Sequence, residues 1–184
     1  ETYRLKSLFD PKQVVEEDSG VRGVPEWGAL YSKYYVYAAK VTATFSVTDT
    51  SATDFVGRCF VNVRGSQQPN TQVNVNFSGE EIATLRGCTS VVTGLTRSTA
   101  GVRTITKRLS IPRVEGRPTK YEDDYTGEIA PTTASNPINM PEIDVGWATY
   151  DGNVSADRPV ILQIRIVYYA RLSDPTQASY LVID

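Results

Sequence analysis

One stretch of strict alternation constrains the fold of this chain more than any other feature of its sequence. Between residues 35 and 48, every odd position is apolar, and the even positions are polar from Lys40 onward. Because successive side chains of a β-strand point to opposite faces, this alternation predicts a long strand with one buried face. It is the strongest structural signal in the sequence.

Several further segments show the same strand pattern. They are rich in β-branched and aromatic residues, as strands prefer. A single short helix is predicted over residues 78–87, where Ser78 or Gly79 caps the first turn and Gly87 ends the last. The clear strands span residues 55–64, 73–77, 143–147 and 160–171, and the weaker ones span 3–9, 88–93, 102–109 and 180–183.

Many strands joined by long loops, with almost no helix, predict an all-β fold. We expect one domain over residues 1–184, a single antiparallel jelly-roll β-sandwich of about eight strands with long connecting loops. Residues 14–27, 66–72 and 113–141 are predicted loops, and the length of the last is typical of loops that function or pack against a neighbour. An immunoglobulin-type sandwich fits less well, because Trp27 precedes both Cys59 and Cys88 instead of lying between them.

The composition removes most catalytic and ligand-binding classes. The chain has no histidine, which excludes Ser-His-Asp and Cys-His triads and histidine-ligated metals. Cys59 and Cys88 are expected to be free thiols, since two cysteines are too few for a disulfide framework and these form no CxxC pair. No apolar stretch approaches the ~18 residues of a membrane span, and no nucleotide-binding or protease motif is present. We therefore expect no enzyme activity, no cofactor and no membrane insertion.

Charge is distributed unevenly along the chain. The net charge of −2 and the pI of about 5.3 argue against nucleic-acid binding by the chain as a whole. Residues 103–120, however, hold six basic side chains and only one acidic one, and residues 122–128 hold four acidic ones. Blocks of this kind usually indicate solvated faces or complementary interfaces.

Acidic and aromatic residues leave other functions open. Glu122, Asp123 and Asp124 are of the type that flanks a glycosidic bond or binds Ca²⁺ through oxygen ligands. A solvated acidic loop is the preferred interpretation, and a structural Ca²⁺ at subunit contacts is the functional alternative. The 11 tyrosines and two tryptophans suit the stacking platforms of a carbohydrate-binding module, although core and interface positions are favoured.

One segment resembles a known capsid pattern. Residues 25–45 read Pro-Glu-Trp-Gly-Ala-Leu-Tyr-Ser-Lys-Tyr-Tyr-Val-Tyr-Ala-Ala-Lys-Val-Thr-Ala-Thr-Phe. This resembles the Trp-x-x-Leu-Tyr-x-x-Tyr-x-Val…Lys-Val…Phe stretch of capsid proteins of small circular single-stranded DNA viruses, the circovirus-like, Rep-encoding group. In that family the stretch leads into a long jelly-roll strand. Residues 103–112 and 160–170 are similar, less specifically, to the family's basic strand and last core strand.

The resemblance implies a viral coat protein that self-assembles into the smallest icosahedral shell around a single-stranded DNA genome. Its partners would be many copies of itself and the viral genome, in the virion and, during assembly, in the host nucleus or cytoplasm. The family's Arg-rich N-terminal arm, which neutralises packaged DNA, is expected upstream of Glu1. The sequence names neither the virus and host nor a cell-surface receptor or glycan.

On this interpretation, two groups of residues have roles in the shell. Six basic residues are expected to contact the genome by neutralising phosphates: Arg4, Lys6, Lys12, Arg103, Lys107 and Arg108. Seven aromatic and charged residues are expected at contacts between subunits: Trp27, Tyr31, Tyr34, Arg117, Lys120, Asp123 and Asp124. Opposite charges there would fix the orientation of neighbouring copies more than they add affinity.

Three other classes of protein remain alternatives. A coat protein of a small RNA virus or satellite virus would share the fold and the assembly. A carbohydrate-binding β-sandwich module would show an exposed planar row of aromatic rings and would remain a monomer. An enzyme that uses carboxylates alone would need a cleft with a carboxylate pair, one of them with a raised pKa.

Overall fold

The computed structural model describes residues 2–5, 7–8, 24–47, 55–66, 78–85, 87–95, 102–119, 123–129, 135–149 and 160–176. These residues form eight strands: β1 Thr2–Arg4, β2 Tyr31–Val47, β3 Phe55–Arg64, β4 Thr89–Leu95, β5 Arg103–Ser110, β6 Gly127–Glu128, β7 Glu142–Thr149 and β8 Val160–Pro175. They also form three short α-helices and one 3₁₀-helix: α1 Val24–Gly28, α2 Gly79–Thr84, α3 Ile111–Glu115 and η1 Asp123–Tyr125.

The strands make two antiparallel sheets. Sheet A has the order β1-β7-β3-β4, and sheet B places β2 between β5 and β8, with β6 added beside the first residues of β2. The long strand β2 pairs with β8 from Tyr31↔Pro175 to Val47↔Val160, and with β5 on its other side. The predicted all-β fold of antiparallel strands is confirmed.

The core lies between the two sheets. Val41, Ala43 and Phe45 of β2 are buried in one apolar cluster with Val61 of β3 and Val145 of β7. Members from both sheets belong to this cluster, which makes the molecule a β-sandwich whose layers share one interior. The buried face predicted from the alternation after Lys40 is therefore confirmed.

A β-bulge divides β2 into two parts. Between Val36 and Ala38 the pairing with β8 shifts by one residue. After the bulge the odd positions face the core, whereas before it Tyr34 and Val36 are buried, in a second apolar cluster. Strict alternation predicts Tyr37 on the buried face, and this is wrong: Tyr37 is 47% exposed. The reason is that the extra residue of a bulge reverses which positions face inward.

The other face of sheet A buries a charged pair. Arg64 of β3 donates from Nε and Nη2 to the two carboxylate oxygens of Asp144 on β7, at 2.7 and 2.9 Å. The Arg64 Nη2 also lies 3.0 Å from an oxygen of Glu142, and the Thr2 hydroxyl of β1 donates to Asp144. Because these bonds join β1, β7 and β3, they hold the register of the three neighbouring strands.

The predicted helix is confirmed, and it is shorter than predicted. Ser78 caps α2 through a capping box, in which Glu81 N donates to the Ser78 hydroxyl and Ser78 N donates to the Glu81 carboxylate. The segment predicted as a loop over residues 113–141 contains part of α3, η1 and β6. The strands predicted over 73–77 and 180–183 lie outside the described residues.

Candidate nucleic-acid and subunit interfaces

A basic cavity lies at the edge of the sandwich where β5 runs into α3. It has a volume of about 540 Å³, and Lys107, Arg108 and Arg113 line it. Pro112 occupies the first turn of α3, and Gly116 ends that helix in the left-handed conformation at φ 73°. The tight turn between these two residues brings Arg113 back beside the two cations of β5. We call this cavity the basic groove.

Lys107 is held in place within the basic groove. Its ammonium donates a hydrogen bond to the carbonyl oxygen of Gly87, and burial lowers the pKa of Lys107. Gly87 has a φ of 86°, and a Cβ on it would lie 2.8 Å from the Val63 carbonyl oxygen, so a larger residue does not fit. One charge of the groove is therefore presented from a fixed position.

The acidic residue of the basic groove is already bonded. Glu115 accepts hydrogen bonds from the backbone N and the hydroxyl of Ser66, at 2.9 and 2.8 Å, and from the Tyr125 hydroxyl at 2.9 Å. Arg117 donates to the same Tyr125 hydroxyl at 3.0 Å, and its guanidinium lies 5.4 Å from the centre of the Tyr125 ring. Arg117, predicted at a subunit contact, is thus engaged inside its own chain.

The four predicted genome contacts that the structure describes do not form one cluster. Lys107 and Arg108 share the basic groove, whereas Arg103 lies at the other end of β5, beside Phe45 in the sheet. Arg4 is on β1, at the opposite edge of sheet A from β4, and its carbonyl accepts a hydrogen bond from the Tyr168 hydroxyl. Lys6 and Lys12 lie outside the described residues.

Arg113 was missing from the predicted genome contacts although it belongs to the same basic block. Its signal in the sequence was its place among the six basic residues of 103–120. What the sequence did not show was the helical turn of α3, which was expected to be part of a loop.

An aromatic pair lies at the beginning of the long strand, and Trp27 is its exposed member while Tyr31 is partly buried. Trp27 of α1 is 51% exposed, and its ring lies 6.5 Å from that of Tyr31, the first residue of β2, at an interplanar angle of 38°. Leu30 between them is also exposed. These three side chains form an apolar surface of the kind that is enriched at protein interfaces.

Tyr34, the third predicted aromatic contact, lies in the core and not on a surface. It is 0% exposed and packs with Leu8, Val24, Val36 and Ile129. Burial raises the pKa of its phenol. The sequence places it at a subunit contact because it lies at the beginning of the long strand, whereas before the bulge its side chain packs inward.

Acidic side chains gather near Lys33 at the same end of β2. The Asp174 carboxylate, 3.1 Å from Lys33 Nζ, raises the pKa of Lys33, and Asp123 and Glu128 add smaller contributions. Asp123 and Asp124 are both exposed in η1. Lys120, the remaining predicted contact, lies outside the described residues.

Neither a metal site nor a membrane-spanning helix is seen in the described ranges. No group of three or more Cys, Asp or Glu side chains there is placed to hold a metal ion. No helix in that part of the chain is both long and apolar enough to cross a bilayer. No protein-family model matches the chain, and no curated protein matches it.

Proposed function

We propose that this chain is a viral coat protein that self-assembles into a closed icosahedral shell around a single-stranded DNA genome. In this proposal the sandwich is a jelly roll of the viral type. The observation that carries the proposal is the exposed Trp27, whose ring lies 6.5 Å from that of Tyr31 at the beginning of the central strand β2. These residues belong to the segment that resembles the capsid pattern.

The contacts between copies would combine an apolar surface with charge. Trp27 and Leu30 supply exposed apolar area, and Asp123 and Asp124 present negative charge on the same chain. Aromatic residues in such patches commonly carry most of the binding energy, while charges at the rim select the partner's orientation. Unlike surfaces on one chain make head-to-tail contacts, and these close into rings when the rotation between copies permits.

The basic groove would contribute to genome contact. Phosphate neutralisation by Lys107, Arg108 and Arg113 is independent of base sequence and weakens as salt rises. Lys107 is pre-positioned by its bond to Gly87, which reduces the side-chain entropy lost on binding. Because the net charge of the chain is −2, its contact with nucleic acid depends on local basic surfaces such as this groove.

Electron microscopy and light scattering of the purified chain across a salt series test this function. We expect uniform closed particles, and nucleic acid extracted from them that DNase degrades and RNase does not. Particles whose nucleic acid is sensitive to RNase alone would identify the coat protein of an RNA or satellite virus instead. A 20.3 kDa monomer at every salt and protein concentration, also after an Arg-rich segment is fused before Glu1, would contradict the proposal.

A carbohydrate-binding module is the second candidate, because Tyr37 and Tyr169 are exposed and adjacent. Their ring centroids are 6.4 Å apart. The rings are inclined at 42° to one another, whereas a flat platform for a sugar needs rings in one plane. A monomer that binds immobilised glycans and forms no particles would favour this candidate.

A further inference from the structure

The outer face of sheet B is the surface of β5, β2 and β8 that points away from the core. Its members alternate with the buried residues of the same strands. Thr42 and Thr44 of β2 pair with Thr106 and Thr104 of β5, so the middle of this face is hydroxyl-rich. At strand spacings of about 4.8 Å, three strands make a face about 10 Å wide.

Cations converge on this face from all three strands. Lys40 of β2 is the direct partner of Arg108 on β5, and Arg165 on β8 is the partner of Thr42, two residues further along β2. Arg171 lies on the same side of β8, and the three arginines are exposed. Cross-strand partners have Cβ atoms about 5 Å apart, so Lys40 and Arg108 form a paired positive site.

The described residues of the three strands supply no acidic counterpart to this positive charge on the face. The outward positions of the three strands from Ala38 to Ser46, Thr104 to Ser110 and Ile161 to Arg171 hold no Asp or Glu. Where the structure describes ion pairs, they join other residues: Lys33 to Asp174, and Arg64 to Glu142 and Asp144. Like charges held this close on a folded sheet favour a polyanionic partner.

Two aromatic rings complete the same face. Tyr169 of β8 is the partner of Ala38, beside the bulge, and is 43% exposed. The bulge turns Tyr37 out of the core and against it. Arg165 and Tyr169 are four residues apart along β8, or about 13 Å at the rise of an extended strand. Rings and cations therefore alternate along one direction of the face.

We propose that the outer face of sheet B binds single-stranded nucleic acid, with phosphates at Lys40, Arg108, Arg165 and Arg171 and unpaired bases stacked on Tyr37 and Tyr169. Exposed rings beside backbone-binding cations are the general means of holding a single strand without base specificity. A duplex offers the cations its phosphates but offers the rings no free base face. This inference deepens the proposed function and rests on it only for the identity of the genome.

Fluorescence anisotropy with labelled oligothymidylate of about 16 nucleotides tests the inference. The comparison probes are an abasic strand of equal length, a duplex and heparin. The double variant Tyr37→Ala/Tyr169→Ala is expected to bind oligothymidylate about 10- to 100-fold more weakly and the abasic strand unchanged. Equal loss for both strands, or no loss, would overturn the stacking role.

The triple variant Lys40→Gln/Arg165→Gln/Arg171→Gln tests the phosphate contacts, because none of these three residues lines the basic groove. Since each contact to a single strand contributes about 0.7 to the slope of log K against log salt, the slope should fall by about 2. Lys33→Gln is the matched control, because Lys33 is exposed and already paired with Asp174. Circular dichroism and thermal unfolding confirm that each variant is folded.

The outcomes separate this inference from the proposed function. Normal particles with an unchanged salt slope in the triple variant would overturn the inference and leave the shell intact. If the native chain never forms particles but binds oligothymidylate, and the variants lose that binding, the inference holds and the proposed shell is contradicted. Heparin or duplex binding as tight as that of oligothymidylate, insensitive to the tyrosine variants, would mean a general polyanion surface and would overturn it.

Discussion

Arg64 and Asp144 are charged residues that lie almost fully inside the protein. The Arg64 side chain is 6% exposed and is bonded to Asp144 through two parallel hydrogen bonds. A buried pair of this kind adds little net stability over an apolar pair, because both charges lose their hydration. Its effect is specificity, since only one register of β3 against β7 brings the guanidinium onto the carboxylate.

Breaking this pair from one side should be costly. Asp144→Asn removes the carboxylate that holds Arg64 through two hydrogen bonds and leaves only Glu142 of the described acidic residues beside it, and we expect the free energy of unfolding to fall by about 1–3 kcal/mol. Urea denaturation followed by circular dichroism measures it. The control is Asp174→Asn, which breaks the exposed pair with Lys33 and should change the midpoint little. Equal effects of the two substitutions would contradict the burial argument.

Cys59 links the stability of the core to alkaline pH. Burial raises the pKa of its thiol from 9.0 to about 11, against a smaller lowering by Arg103. Because folding favours the neutral thiol, this stabilisation is complete below pH 9 and is lost as the pH rises towards 11. A rise in pKa from 9.0 to about 11 corresponds to about 3 kcal/mol.

The measurement is the free energy of unfolding between pH 8 and 11, for the native chain and for Cys59→Ala. The native chain should lose stability over this interval, and the variant should lose less. Some loss should remain in the variant, because burial also raises the pKa of Cys88 and of Tyr34. Parallel pH profiles for the two proteins would show that Cys59 does not titrate in this window.

At the scale of elements, the bulge in β2 and the short strand β6 act together. The bulge turns Tyr34 inward, and Gly127 of β6 lies directly against the Tyr34 ring. A Cβ on Gly127 would come within 2.5 Å of the ring atoms, which no side chain tolerates without displacement. The close approach of β6 to β2 therefore depends on a glycine.

Gly127→Ala should separate β6 from β2. We expect a loss of about 1–3 kcal/mol in the free energy of unfolding, the usual cost of overpacking a core. Gly65→Ala is the control, because a Cβ there would meet its nearest neighbour at an ordinary 3.4 Å. Thermal unfolding of both variants measures this difference in stability. A Gly127→Ala protein as stable as the control would show that the Tyr34 ring moves aside freely.

At the scale of the whole molecule, surfaces of different chemistry lie on different parts of one sandwich. The Trp27–Tyr31 pair and the acidic residues near Lys33 are at one end of β2, and the basic groove is at the junction of β5 and α3. In the proposed shell, this separation would let a single chain contact copies of itself and a polyanion at the same time.

Trp27→Ala should weaken assembly without unfolding the chain. Trp27 is half exposed, so its loss removes contact area between copies more than core packing. We expect the protein concentration needed for particle formation to rise about tenfold or more, as for a central aromatic contact. Light scattering measures this, with Val102→Ala as a control at another exposed apolar position. If Trp27→Ala assembles at the same protein concentration as the native chain, Trp27 and Tyr31 do not form the contact between copies.

The sequence alone determined the fold class, most of the strands and the cap of α2. These features are local: alternation follows from the pleat of the backbone, and the capping box joins residues three apart. The buried face of β2 after Lys40 was predicted for the same reason. The six predicted genome contacts were chosen by charge along the chain, and that choice gave no information about which of them share a surface.

Only the tertiary structure decided where the functional side chains point. The bulge exposed Tyr37 and buried Tyr34, and the register of β5 and β8 on β2 grouped Arg108 with Lys40 and Arg165. Strand pairing joins residues more than a hundred positions apart, and its register depends on the packing of both sheets, which no local pattern encodes.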